Sequence, residues 1–230
     1  MTIQRENFTN SDSSPVETFR ANISGTARGG IYCNLFKRLL DLFFVLMAAP
    51  FVVPVVLLLA LFISRDGHNP FYRQVRVGRA GRNFTMWKLR TMVPDAENKL
   101  EDFLADDASA RNEWNEKQKL ADDPRVTRLG ALIRKCSIDE LPQLWNVLVG
   151  DMSLVGPRPM MPEQRRLYPG LSYFTLRPGV SGPWQVSDRN SSSFAARAEF
   201  DDQYNNNVSL KNDVRIILCT FLVVVRGTGC

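Results

Sequence analysis

Two carboxylates stand side by side at Asp139 and Glu140, in "RKCSIDELPQLW", just after the cations Arg134 and Lys135 and just before Pro142. Adjacent acids among cations suit a carboxylate nucleophile or an oxygen ligand for a hard metal ion. They also suit a purely structural task, because acids are favoured at helix starts. Ser137 and Glu140 have the S-x-x-E spacing of a capping box. With Ser137 as the N-cap, Pro142 would fall at the fifth helical position, where a backbone donor is needed. With Asp139 as the N-cap it falls at the third, where the missing N–H costs nothing. The spacing therefore predicts a helix capped by Asp139. Both acids would sit at its positive end, which favours their ionised forms.

The other polar residues that could act with the pair are cations on loops. Arg158 lies in "GPRP", Arg177 in "RPG" and Arg189 in "SDRN", with Gln185 in the same Gly/Pro-rich stretch. Arginine presents a planar fork that matches phosphate oxygens, and a rigid loop holds the fork in place. Lys88 and Arg90 share one face of a strand with Phe84 and Met86; they could grip a phosphate, or simply form a solvated face. No P-loop and no G-x-G-x-x-G is present, so phosphates are not cradled by a glycine-rich helix start. One His and four scattered Cys, none in C-x-x-C, argue against a zinc ribbon or a thioredoxin-type site.

These residues need elements to carry them. "NPFYRQVRVGRAGRNFTMWKLRTM" alternates on both sides of "GRAGR" and predicts a β-hairpin. Residues 95–123 read as a solvated, acidic helical insert, with Leu100, Phe103 and Leu104 on one stripe. Two helices are expected across residues 124–150, breaking near 137–139. "RPGVSGPWQVSDRN" must be loop or short strand. The apolar tail "DVRIILCTFLVVVRG" predicts a helix, either interfacial or buried.

Residues 42–63 contain no charge and no strongly polar side chain, enough to span a bilayer core as a helix. Pro50 and Pro54 lie in the middle, and each removes a backbone donor. Basic residues flank both ends: Lys37 and Arg38 before, Arg65, Arg73, Arg76, Arg79 and Arg82 after. Positive charge marks the cytoplasmic side. The expectation is a re-entrant helix, broken at the prolines, that enters and leaves one leaflet. Net charge by segment is +7 over 31–94, −6 over 95–123 and +4 over 124–193. Basic blocks beside an apolar run point to an anionic partner at a membrane surface rather than to nucleic acid. Loop arginines and acids able to hold Mg²⁺ on such a protein suggest phosphoryl chemistry on a lipid.

The expected architecture is mostly α with small β-hairpin elements, in a monotopic membrane protein with interfacial helices. Residues 1–30 would be a disordered leader, 31–65 the re-entrant helix and 66–230 a cytoplasmic catalytic domain. The motifs "KRLLD", "FYRQVRVGRAGRNFTMWKLRTM", "DPRVTRLGALIRKCSIDELPQLWNVLVGDMSLVGPRP", "RPGVSGPWQVSDRN" and "RAEFDDQY" follow in order. Together they resemble the bacterial sugar transferases, the small monotopic phosphoglycosyl transferases. The finer likeness is to exopolysaccharide galactosyl-phosphate transferases.

The resemblance implies transfer of a sugar 1-phosphate from a UDP-sugar to undecaprenyl phosphate, releasing UMP, with Mg²⁺, at the cytoplasmic face of the bacterial inner membrane. It makes Asp139 the nucleophile and associates Glu140 with the metal. It has Arg134 contact phosphate and carries a further acid, the metal ligand, over to Asp201. The proline at the membrane break matches Pro54, with Pro50 an additional one. Arg158, Lys88, Arg90, Arg177, Arg189 and Gln185 complete the expected substrate-binding set. Expected partners are the two substrates and inner-membrane lipids, with self-association left open. Galactose is the first choice of sugar and glucose the second. A non-catalytic membrane adaptor, and a glycosyltransferase releasing UDP, are the rival readings.

Overall fold

The computed structural model describes residues 30–117, 120, 122–187 and 194–225. The expected leader and Arg189 lie outside the described residues. The described chain is mostly helical, with two small two-stranded sheets.

A π-helical turn (Tyr32–Phe36) leads into α1 (Lys37–Ile63). At 27 residues α1 is about 40 Å long if straight. Helical conformation runs through Pro50 and Pro54, which corrects the expectation of a break there. Each proline deletes one hydrogen bond, leaving the carbonyls of Leu46 and Pro50 without their i+4 donors. The flanking apolar turns keep the helix going on both sides. Both ends of α1 are fastened to the rest of the protein. At the start, Lys37 pairs with Asp213 at 2.6 Å, Arg38 donates to the Val147 and Leu148 carbonyls, and Asp41 accepts from the Leu154 N–H. At the far end, Arg90 donates to the Ile63 carbonyl at 3.1 Å and to Asp66 at 2.6 Å. Between these anchors the large apolar side chains are exposed, Phe51 at 77%.

β1 (Phe71–Val77) and β2 (Asn83–Leu89) form the expected antiparallel hairpin, pairing Tyr72 with Lys88 and Gln74 with Met86. Ala80 and Gly81 turn the chain at φ 56° and 71°. The acidic insert folds as α2 (Ala96–Asp106) and α3 (Ala108–Lys117). Asp107 separates them by accepting the Ser109 and Ala110 N–H groups, as an N-cap does. Leu100 and Leu104 are buried against Ala110 and Leu120, with Phe103 and Trp114 alongside, so the insert has its own small core.

α4 (Arg128–Lys135) starts at Thr127, whose Oγ1 accepts the Gly130 N–H at 2.9 Å. α5 (Gln143–Val149) ends at Gly150, where φ is 97°. β3 (Ser153–Val155) and β4 (Gly179–Ser181) pair in parallel. α6 (Ser172–Thr175), α7 (Arg197–Asn206) and α8 (Leu210–Val225) complete the order. Two buried clusters frame the site. Val77, Met160, Tyr168, Tyr173, Phe174 and Ala198 pack on one side of the hairpin. On the other, Val45 of α1 meets Met86, Val147 and Met152. α8 buries Asp213 and Ile216 while Leu218, Phe221 and Leu222 face outward. Of the two readings of the tail, its outer face is therefore the apolar one.

Candidate active site

The acids sit in a 3₁₀ turn (Ile138–Glu140) between α4 and α5. Ser137 enters it with φ 54°, a left-handed conformation that a non-glycine residue adopts at some cost. This overturns the capping expectation. Neither Ser137 nor Asp139 caps a helix by its side chain, and α5 begins only at Gln143, behind Pro142. The tight turn uses i to i+3 bonds, Glu140 N–H to Ser137 O and Leu141 N–H to Ile138 O. Pro142 therefore lies before the helix and not in its first turn.

Asn146 on α5 locks the turn to the hairpin. Its Oδ1 accepts the Trp87 N–H at 3.1 Å and its Nδ2 donates to the Thr85 carbonyl at 2.7 Å. The side chain thus acts as one more strand residue at the edge of β2, next to Lys88. Lys88 consequently reaches both acids, Glu140 Oε1 at 2.7 Å and Asp139 Oδ2 at 3.7 Å. Asp139 is only 7% exposed. Burial pushes its carboxyl above the usual range, Lys88 pulls it back, Glu140 raises it and Arg134 lowers it. The expected preference for the ionised form at a helix start is thus opposed by desolvation. Lys88 and Arg134 are what hold the charge. Arg134 is itself oriented by donating to Thr91 Oγ1 at 2.8 Å.

Beside the dyad lies a cluster of cations. Arg76 and Arg197 are each held down to about 10, first by burial and next by the charge of Arg158. Arg76 shares the hairpin face of Lys88, since Arg76 pairs with Phe84 and Tyr72 with Lys88, and the charge of Glu140 raises it against burial. Arg197 lies 4.1 Å and Arg158 5.7 Å from the centre of the Trp184 ring. Trp184 is buried and serves as the platform for Arg197 and Arg158. The Nε atoms of Arg76 and Arg197 and both amide atoms of Gln185 are buried without a hydrogen-bond partner among the described residues. Guanidinium groups that repel one another and hold unused donors are suited to a polyanionic ligand.

Arg158 and Gln185 were expected here; Arg76 and Arg197 were not singled out. A signal for Arg197 exists, since it precedes Asp201 by four residues on one helix face. Arg76 needed the fold, because its neighbours in space come from other elements. Two residues of the expected substrate-binding set lie away from the arginine cluster. Arg90 turns to Ile63 and Asp66 at the end of α1. Arg177 donates from Nε to the Gly150 carbonyl at 2.9 Å, behind α5. A carbonyl left over at a helix end attracts a guanidinium for the same reason a phosphate does.

Asp201 is buried and accepts the Tyr168 hydroxyl at 2.7 Å. Burial pushes it up to about 7, against the Tyr168 hydrogen bond and Arg197, which lower it. Among the described residues no three His, Cys, Asp or Glu side chains group closely enough to hold a metal. Asp139, Glu140 and Asp201 thus do not form one such group. The dyad by itself still fits Mg²⁺, which binds through one or two carboxylates and completes its shell with substrate phosphates and water.

The family model described as "Bacterial sugar transferase" matches residues 32–227. The "UDP-galactose-lipid carrier transferase" of Erwinia amylovora is 47% identical over 198 residues, which are 85% of this chain and 42% of that protein. The "Undecaprenyl-phosphate galactose phosphotransferase" of Salmonella typhimurium is 43% identical over the same length and shares. The "Exopolysaccharide production protein ExoY" of Rhizobium meliloti is 41% identical over 199 residues, 85% of this chain and 88% of that one. The chain thus spans less than half the length of the first two relatives and most of the third. Since the match takes in α1, the hairpin, the acidic pair and the arginine cluster in one unbroken stretch, the chain belongs to the bacterial sugar transferase family.

Proposed function

We propose that the chain transfers a hexose 1-phosphate from a UDP-sugar to undecaprenyl phosphate and releases UMP, as the first step of an exopolysaccharide. The observation that carries this reading is the buried Asp139 carboxylate, held beside Lys88 on the hairpin face that also carries Arg76 with its unused Nε. In the first step an Asp139 carboxylate oxygen attacks the β-phosphorus of the donor. The bond from that phosphorus to the bridging oxygen breaks, and UMP leaves with the electron pair. In the second, a phosphate oxygen of the lipid attacks the same phosphorus, and Asp139 departs as a carboxylate. Two anionic substrates approaching a carboxylate would be repelled unless cations neutralise them. Arg76, Arg158 and Arg197 meet the diphosphate, and Lys88 and Arg134 keep Asp139 ionised. Mg²⁺ held by Glu140 would neutralise charge on the diphosphate and the departing UMP. The relatives' names favour galactose as the sugar.

The same reading places the protein on the cytoplasmic face of the bacterial inner membrane. α1 is fastened at both ends to one body while its middle is exposed and apolar. A path that enters and leaves the same leaflet, bent where Pro50 and Pro54 remove hydrogen bonds, satisfies both facts. A Cys introduced near residue 5 should resist an impermeant thiol reagent applied from the periplasm; labelling there would refute this topology.

Asp139→Asn should lower UMP release from UDP-galactose by at least about 10³-fold and leave the melting temperature unchanged or higher. Incubating wild-type protein with labelled UDP-galactose should give a phosphosugar adduct that Asp139→Asn lacks. Full activity in the variant would sink the nucleophile. Release of UDP in place of UMP would sink the reaction.

A further inference from the structure

A cavity lies outside the dyad and the arginine cluster, between the end of α1 and the start of α4. Its volume is about 320 Å³, and Phe62, Ile63, Met92 and Leu129 line much of its wall. Arg90 also faces it. This guanidinium uses only Nη2, on Ile63 and Asp66; its Nε and Nη1 are buried with no partner among the described residues. Arg65 adds a second cation to the wall against the single acid Asp66. The cavity thus joins an apolar wall to a net positive charge with unused donors.

Its position matters as much as its chemistry. Of its apolar wall, Phe62 of α1 and Leu129 of α4 are also exposed, so its rim continues the apolar surface of the membrane helix. Lys88 and Arg90 are two residues apart on one face, about 7 Å along the chain. Lys88 holds the dyad, while Arg90, two residues on along the same face, lines the cavity, which none of Arg76, Arg158 and Arg197 lines. Arg134 bridges the two places through Thr91, the neighbour of Arg90.

We propose that this cavity receives the phosphate monoester headgroup of the lipid acceptor, with Arg90 Nε and Nη1 as its donors and the lipid chain leaving along Phe62 and Leu129. The inference rests on the acceptor reading given above, and binding can be measured without turnover. The full chain in phosphatidylcholine nanodiscs is titrated with undecaprenyl phosphate, followed by the ³¹P signal of the probe. Arg90→Gln should weaken binding roughly ten- to a hundred-fold, the scale of losing hydrogen bonds to a charged group. Undecaprenol without phosphate should bind weakly, and phosphatidylglycerol should not compete.

Arg90 also holds Asp66 and Ile63, so a second variant is needed should Arg90→Gln fail to fold. Leu129→Trp fills the cavity from its exposed side and leaves those bonds intact; it should weaken binding comparably. Wild-type affinity in a folded Arg90→Gln or in Leu129→Trp would overturn the proposal. So would equal competition by phosphatidylglycerol, which would mark a general lipid site. Loss of binding in both variants alongside a wild type that transfers no sugar phosphate would keep the site and reject the reaction. Unchanged binding with active transfer would do the reverse.

Discussion

Arg38, Arg125 and Arg177 contrast with Arg76, Arg158 and Arg197, although both groups are largely withdrawn from solvent. The first three are satisfied within the protein. Arg38 and Arg177 donate to carbonyls at and beyond the end of α5, and Arg125 pairs with Asp123 at 2.6 Å. In the second three, Arg158 repels both Arg76 and Arg197, Arg158 and Arg197 rest on the Trp184 ring, and Arg76, which reaches Gln74 only through Nη2, shares with Arg197 an unused buried Nε. A satisfied guanidinium stabilises the fold and is unavailable to a ligand. An unsatisfied one costs stability in the free protein and is recovered only when an anion arrives. The difference separates structural from functional arginines without reference to sequence motif, and it reassigns Arg177.

The sharpest way to break this comparison is to remove one member of each group. Arg76→Met should lower kcat/KM for the UDP-sugar by roughly 10²-fold, the scale of losing one charge stabiliser of a phosphoryl transition state. Its melting temperature should hold or rise, because a buried repulsion is relieved. Arg177→Met should do the opposite. It gives up about 1–3 kcal/mol of fold stability through the bare Gly150 carbonyl, with kcat/KM kept within about twofold. Thermal unfolding and steady-state UMP release on the same preparations measure both. A destabilised Arg76→Met with normal donor kinetics would erase the distinction.

A smaller effect on turnover is expected at Asn146, which belongs to neither group but sets their distance from the dyad. Asn146→Ala leaves the Trp87 N–H and the Thr85 carbonyl without their partner and should cost about 2–4 kcal/mol. Because Lys88 follows Trp87 directly, its reach to Asp139 and Glu140 should loosen. We expect kcat to fall about tenfold with donor KM little changed. A folded Asn146→Ala with full kcat would mean that the Lys88 geometry does not depend on this clamp.

Much of this was legible from residue patterns, and the failures have physical causes. The hairpin, the stripe on the insert and the apolar helix declare themselves by local periodicity, which tertiary contacts here reinforce. The acidic pair is visible as a spacing. Its backbone was misread because Ser137 adopts a left-handed conformation that its residue type does not announce. The prolines were expected to break a re-entrant helix, and the helix continues through them. Arg177 was grouped with the cluster arginines because a loop arginine looks the same whether a carbonyl or a phosphate awaits it. Arg76 and Asn146 act across β1, β2 and α5, and no local spacing encodes such a meeting.

The last effect is a slope rather than a loss, and it bears on Arg197. Asp201 is the one acid whose charge attracts this arginine away from the unsatisfied set. Burial lifts Asp201 from its ordinary 3.8 to about 7, opposed by the hydroxyl of Tyr168 and the charge of Arg197, with Asp202 raising it further. The folded state therefore keeps a proton that the unfolded chain releases at lower pH. The stabilisation this gives is complete below pH 3.8 and is lost as pH rises through about 7. Asp201→Asn cannot titrate, so the stability difference between wild type and variant should favour wild type most near the acid end. It should shrink steadily toward neutrality and level off above about pH 7–8. Melting temperatures of the pair across that range decide it. A difference that stays flat with pH would mean Asp201 is ionised throughout, that Arg197 is neutralised within the fold, and that Arg197 belongs with Arg125 among the satisfied arginines.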